Sequence, residues 1–134
     1  MAVDSRALGG ARYFYMVTFE IAPEDEREFN EIYDNEHIPD LLTVDGVKGV
    51  LRLRDGEPNQ NGWLVYSALY LIATPELPDT PQWKARSEIG RWAPVMRPRL
   101  KSRVRRTGTI VAAELAAPDA GTGRDDEATR AARS

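Results

Sequence analysis

The sequence predicts an α+β domain, a four-stranded antiparallel sheet with two helices on one face, and three observations predict it. Residues 12–21 and 63–73 are dominated by β-branched and aromatic side chains, which suit a pleated, half-buried surface. Apolar residues at helical spacing follow each of those regions: Phe29, Ile32 and Tyr33 after the first, and Ala85, Ile89, Trp92, Ala93 and Met96 after the second. Two further extended stretches complete the order strand, helix, strand, strand, helix, strand, which is that of the ferredoxin-like split β-α-β arrangement.

Each element has its own signature. Residues 1–11 are small and polar and read as a flexible lead-in. The first strand is expected over Arg12 to Ile21 (RYFYMVTFEI). Pro23 stands where a first helical turn tolerates it, and Glu24, Asp25 and Glu26 suit the positive end of a helix dipole. The first helix therefore runs from about Pro23 into Glu36-His37, where Pro39 disfavours helical geometry at Ile38 and is expected to end or kink it. A short turn over Asp40 to Val44 closes on Asp45-Gly46. Val47 to Asp55 alternates as a second strand, with Val47, Gly49, Leu51 and Leu53 on one face and Lys48, Val50, Arg52 and Arg54 on the other. The turn-rich segment Gly56 to Gly62 leads into Trp63 to Ala73 (WLVYSALYLIA), a strand apolar on both faces and so expected to be central. A Pro-rich connector, Thr74 to Pro81, precedes a second helix around Gln82 to Trp92, which Pro94 and Pro98 break up. Leu100 to Glu114 reads as the last strand. Beyond Leu115 no large apolar residue remains to bury, so 115–134 is expected to be a disordered tail and 12–114 the single folded domain.

The bulk numbers set limits. A chain of 134 residues can build one core and not two. A net charge of −3 is too mild for a broad electrostatic grip on nucleic acid or an anionic membrane. There is no cysteine, which excludes disulfides, thiolate metal sites and a cysteine nucleophile and fits a reducing compartment. No apolar run reaches bilayer length and no secretory h-region stands at the N-terminus, so the expected location is the cytoplasm.

Two helices cover one face of such a sheet, yet the first and third strands are apolar on both. A patch of that size is rarely left in water. The expected cover is a second copy of the chain, sheet against sheet, in a homodimer.

One stretch is more distinctive. Glu28 to Val47 (EFNEIYDNEHIPDLLTVDGV) resembles the first helix and following turn of the dimeric α+β-barrel superfamily, especially its EthD-like members: an aromatic-rich helix ending in a histidine, a proline two residues later, and a glycine before the second strand. The matching positions are Tyr33, His37, Pro39 and Gly46. Through element order the likeness extends over Arg12 to Glu114. It implies a ferredoxin-like protomer dimerised through its sheet into a barrel, with a pocket in each protomer between sheet and helices. Members include cofactor-free monooxygenases, haem-degrading enzymes, lactone isomerases and polyketide cyclases or dehydratases, so the fold by itself selects no reaction.

The candidate site centres on His37, the one histidine of the chain. It follows Tyr33 by four residues and Phe29 by eight, so the three share a helical face. An imidazole in a partly apolar pocket exchanges protons as a general acid or base must, whereas a histidine at a helix C-terminus bonds the last carbonyls. The resemblance favours the catalytic reading. Tyr33 is the second catalytic candidate, to hold a substrate oxygen or orient His37, against the plainer role of a core tyrosine. Glu36 and Asp40 flank His37, either polarising it or simply solvated. With a single histidine and no second ligand motif, no metal site is expected. Phe29, Tyr15, Tyr66, Trp83 and Trp92 are candidates to line an aromatic pocket, and Arg52 to hold a carboxylate or carbonyl unless it is a solvated strand charge.

Arg97, Arg99, Lys101, Arg103 and Arg105 alternate, and so share one face where the chain is extended. The RNA-recognition fold has the same element order, but VKGVLRLR and the first strand do not match its RNP segments. Protection of an edge strand, or pairing with the acidic first helix or the tail, is the expected role, and no nucleic acid is expected as a partner. The function expected is proton transfer through His37 on an apolar, oxygenated substrate such as an aromatic or polyketide-like compound, without a cofactor, as a dehydratase, isomerase, cyclase or monooxygenase. The alternative is a non-catalytic ligand-binding or stress-associated dimer with a structural His37.

Overall fold

Alternation of large apolar and smaller or polar side chains sets four strands, and short amphipathic segments set three helices between them. In order these are β1 (Tyr13–Ile21), α1 (Glu26–Ile32), α2 (Ile38–Leu42), β2 (Val47–Arg54), β3 (Leu64–Ile72), α3 (Pro81–Ser87) and β4 (Ser102–Thr109). The computed structural model describes residues 8–117. Residues 8–11 form a turn with Ala11 buried. The rest of the expected lead-in, 1–7, and of the expected tail, 118–134, lies outside the described residues.

The sheet order is β2-β3-β1-β4, every neighbouring pair antiparallel, with the two strands that are apolar on both faces in the middle. This is the ferredoxin-like α+β fold. Tyr15, Val17, Phe19 and Ile21 of β1 and Tyr66, Ala68, Tyr70 and Ile72 of β3 point to the helices and form the core with Phe29, Ile32, Tyr33, Leu41, Trp92 and Met96. The opposite face carries Phe14 and Met16 of β1, Leu69 and Leu71 of β3, and Leu51, Leu53 and Val104 of the outer strands. Leu51, Leu53 and Val104 are 52%, 48% and 60% exposed.

Several boundaries correct the sequence reading. Pro39 does not end the first helix: Ile38 stays helical (φ −62°, ψ −49°) and α2 runs on through the proline. A π-helical turn over Tyr33–His37 makes this possible, with the Ile38 N–H donating to the carbonyl of Tyr33. Pro39 has no N–H to donate, so widening the turn just before it loosens the backbone where the ring would otherwise crowd the preceding turn. The same device recurs before Pro98, where a π-helical turn over Trp92–Met96 has the Arg97 N–H donating to Trp92.

The second helix is shorter than expected. Thr80 caps it, its hydroxyl accepting from the Trp83 N–H, and it ends at Ser87 ahead of Gly90, whose φ of +76° no helix interior uses. Ile89 is therefore 41% exposed and Ala85 is exposed, neither in the core. β4 covers only the middle of the stretch expected to be extended; past it a single further bond, from the Ile110 N–H to the Arg12 carbonyl, joins the chain to the residue before β1. A register shift between Val47 and Gly49 breaks the expected alternation at the start of β2.

Candidate functional site

The two π-helical turns face each other and carry the residues that matter. Over four residues an α-helix drifts by about 40°. The wider turn from Tyr33 to His37 offsets that drift, so His37 stays on the inward face with Phe29 and Tyr33. From the other turn comes Trp92, whose ring stacks on His37 at 4.7 Å with a 29° interplanar angle. Tyr33 closes the cluster, 4.9 Å from His37 and edge-on to Trp92 at 5.0 Å.

His37 is only 4% exposed, and its Nδ1 has no hydrogen-bond partner. It does not cap a helix end, since the helix continues beyond it; the C-terminal capping role fails on that geometry. Burial pushes the imidazole down to about 3, and the nearby guanidinium groups of Arg97 and Arg103 push the same way. The ring is therefore neutral at neutral pH. Neither flanking carboxylate orients it: Glu36 accepts from the Arg91 backbone N–H and side chain, and no hydrogen bond among the described residues joins Asp40 to it.

His37 lines a small cavity of about 30 Å³, together with Tyr15, Tyr33, Tyr70, Trp83 and Trp92, and Arg103 at its outer side. That is room for a water or two. The hydroxyls of Tyr33 and Tyr70 bond each other at 2.5 Å. Two hydroxyls sharing one bond leave one O–H free to donate to an oxygen placed in the cavity. Burial raises both phenols well above their ordinary range, so neither ionises at neutral pH.

Of the residues singled out in the sequence, His37, Tyr33, Tyr15, Trp83 and Trp92 meet at this cavity. Phe29, Arg52 and Tyr66 meet elsewhere. The Arg52 guanidinium lies over the rings of Phe29, Tyr33 and Tyr66 at 5.3, 4.9 and 5.0 Å and bonds Asp34 and Asn30. Tyr66 donates to Glu26. Arg52 is thus neither a solvated strand charge nor at the cavity; it clamps α1 to β2. In the basic run, Arg99 pairs with Asp25 and Glu28 of the acidic first helical segment, one of the roles expected for it.

Tyr70 and Arg103 are among the lining residues that the sequence reading missed, with Val17, Phe19, Leu41 and Ser87. Tyr70 sits directly opposite Tyr15 in the β1–β3 register, and Arg103 directly opposite Phe19 in the β1–β4 register. The signal was present in the alternation of β3 and β4, but only the register ties those positions to His37. Among the described residues no three His, Cys, Asp or Glu side chains converge as a metal-binding group, and no helix is long and apolar enough to cross a membrane.

No protein-family model and no curated protein matches the chain. Solved structures do. An ethyl tert-butyl ether D (EthD) family protein from Bacillus halodurans C-125 shares 17% identity at a TM-score of 0.51, over 77% of this chain and 99% of that one. A Bacillus cereus protein named "Putative Antibiotic Biosynthesis Monooxygenase" shares 13% at a TM-score of 0.57, over 81% and 99%. A dimeric ferredoxin-like protein from an uncultured marine organism shares 9% at 0.51, over 78% and 99%. At these identities the likeness establishes the fold.

Proposed function

We propose that this chain is a cofactor-independent enzyme that moves a proton on an apolar, oxygenated small molecule, with His37 as the general base. The observation that carries this is a buried, neutral imidazole with an unpartnered Nδ1, lining a cavity between sheet and helices that has room for a reacting carbonyl group and not for a whole substrate, whose body stays outside it. A neutral imidazole is in its proton-accepting form, while the burial that holds it at about 3 makes it a weak base, suited to a C–H that a carbonyl and a donor to its oxygen have already acidified. A C–H next to a carbonyl would give its proton to His37, while the electron pair moves onto the carbonyl oxygen. The spare O–H of the Tyr33–Tyr70 pair is the donor available to that oxygen. The resulting enolate leads to dehydration, isomerisation or cyclisation, or, within an electron-rich ring and with dioxygen as co-reactant, to conversion of the ring CH2 into C=O, the substrate supplying the two electrons and the second oxygen atom leaving as water. The monooxygenase name of the Bacillus cereus protein and the EthD family of the Bacillus halodurans protein support a small-molecule role.

The working form we propose is a homodimer closed over the open sheet face. The row of Phe14, Met16, Leu51, Leu53, Leu69, Leu71 and Val104 supports it, as does the dimeric description of the marine protein with the same fold. The cysteine-free sequence supports the cytoplasm as its location.

A second reading, a ligand-binding dimer without turnover, is favoured by the close His37–Trp92 stack, which is also what a packing histidine makes. Screening aromatic and polyketide-like carbonyl compounds against the wild type and His37→Ala separates the two. On the catalytic reading, His37→Ala lowers kcat for a turned-over compound by 100-fold or more, in line with the ~10²–10⁴-fold typical of general acid–base catalysis, with native circular dichroism. Turnover that survives the substitution overturns it.

A further inference from the structure

A second hollow, of about 240 Å³, lies beside the His37 cavity, and Tyr15, Trp83, Ser87 and Arg103 line both. Its charge is lopsided. Lys84, Arg97, Arg103 and Arg105 line it against a single carboxylate, Glu88. That carboxylate is already engaged, accepting from Arg97 at 3.0 and 3.2 Å. Arg52, Arg54, Arg91, Arg97 and Arg99 each have an acidic partner, whereas among the described residues Arg103, Arg105 and Lys84 have none. Arg97 adds a buried Nε that lacks a hydrogen-bond partner. Like charges gathered with too few counter-charges repel, and an anion placed among them relieves that repulsion through charge-assisted hydrogen bonds.

The strand register aims these groups. Arg103 and Arg105 stand opposite Phe19 and Val17, so both are on the helix side of β4. Two residues along a strand span about 7 Å, which lets two guanidinium forks converge on one planar carboxylate. Next to them the rings of Tyr15 and Trp83 meet edge to face at 5.3 Å, an apolar wall between the basic hollow and the inner cavity.

We propose that the ligand is an organic acid, its carboxylate seated on Arg103 and Arg105 and its apolar body lying along Tyr15 and Trp83 toward His37. This rests on reading the His37 cavity as a ligand site and names the class of ligand. A consequence concerns His37 itself. The titratable and charged groups around it are Tyr15, Tyr33, Tyr70, Arg97 and Arg103. Burial is the main cause of its lowered basicity and the Arg103 charge adds to it; a carboxylate seated on Arg103 offsets that charge, so the acid substrate strengthens the base that acts on it.

Because the chain has one histidine, isotope-labelled histidine gives a single ring to follow by NMR in the full-length protein. Benzoate, its uncharged amide benzamide, and inorganic phosphate are the probes. Benzoate is expected to shift the His37 ring signals saturably and to raise the pH at which the ring titrates. Benzamide should bind at least about tenfold more weakly, as should phosphate, and Arg103→Gln and Arg105→Gln should each weaken benzoate by about tenfold while leaving circular dichroism unchanged. Benzoate binding no better than benzamide or phosphate, indifference to both substitutions, or no shift at all overturns the proposal. The readout is binding, so it can fail while the loss of turnover in His37→Ala stands, and it can hold where turnover survives that substitution.

Discussion

A histidine buried as a neutral ring carries a cost that depends on pH. His37 titrates at about 3 in the folded chain against an ordinary value of 6.5, so its folded affinity for protons is the lower one. Between those values the unfolded chain takes a proton that the folded chain refuses, and stability falls as pH falls through that window. From pH 7 to pH 5 this one group removes about 2 kcal/mol. Urea unfolding of His37→Gln at both pH values should lack that component, while the wild type shows it; equal losses in both proteins would refute the buried, neutral assignment. The sequence made His37 legible because it is unique and shares a face with Phe29 and Tyr33. Its stack on Trp92 and the absence of a partner at Nδ1 were not legible, because the contacting groups come from a distant segment and the outcome depends on ring placement within ångströms.

At the scale of elements, the two π-helical turns are the main departure from sequence expectation. The rule that a residue before proline avoids helical geometry is a steric preference, and a widened turn relieves the clash without ending the helix. Packing favours that solution here: ending the helix at Ile38 would release Leu41, which is buried in the core. The turn that follows was read correctly from Asp45-Gly46. Gly46 has φ +101°, and a Cβ placed there would meet Leu77 at 3.1 Å. Gly46→Ala is therefore expected to cost about 1–3 kcal/mol, from backbone strain with crowding against Leu77. Gly56→Ala, at a position with ordinary φ and open space around it, should change stability by less than about 0.5 kcal/mol. Chemical denaturation of the two variants side by side checks the contrast, and equal effects would remove the assigned role of Gly46.

At the scale of the whole molecule, the sheet has one covered face and one bare one. Leu51, Leu53 and Val104 are each about half exposed or more on the bare face, beside the side chains of the two central strands. Sedimentation velocity at micromolar concentration should give a dimer, and the double substitution Leu51→Lys, Leu53→Lys a monomer with unchanged circular dichroism, because two buried ammonium groups per copy cannot be desolvated without partners. A wild-type monomer would remove the dimer. The same view explains why aromatic content misled in one respect. Phe29 and Tyr66 have the composition of a pocket lining, but the fold places them on the Arg52 side, away from the His37 cavity.

The sequence by itself determined the element order, the two central strands, the Gly46 turn and the inward face that holds His37. Those features rest on periodicity and local backbone chemistry, which act within a few residues. Tertiary structure alone decided what surrounds the imidazole. The pairing of Tyr15 with Tyr70, the placing of Arg103 opposite Phe19, and the meeting of the Trp92 turn with the His37 turn each join residues far apart in the chain. Register and helix packing fix such neighbours, and burial then sets the protonation state of the histidine among them.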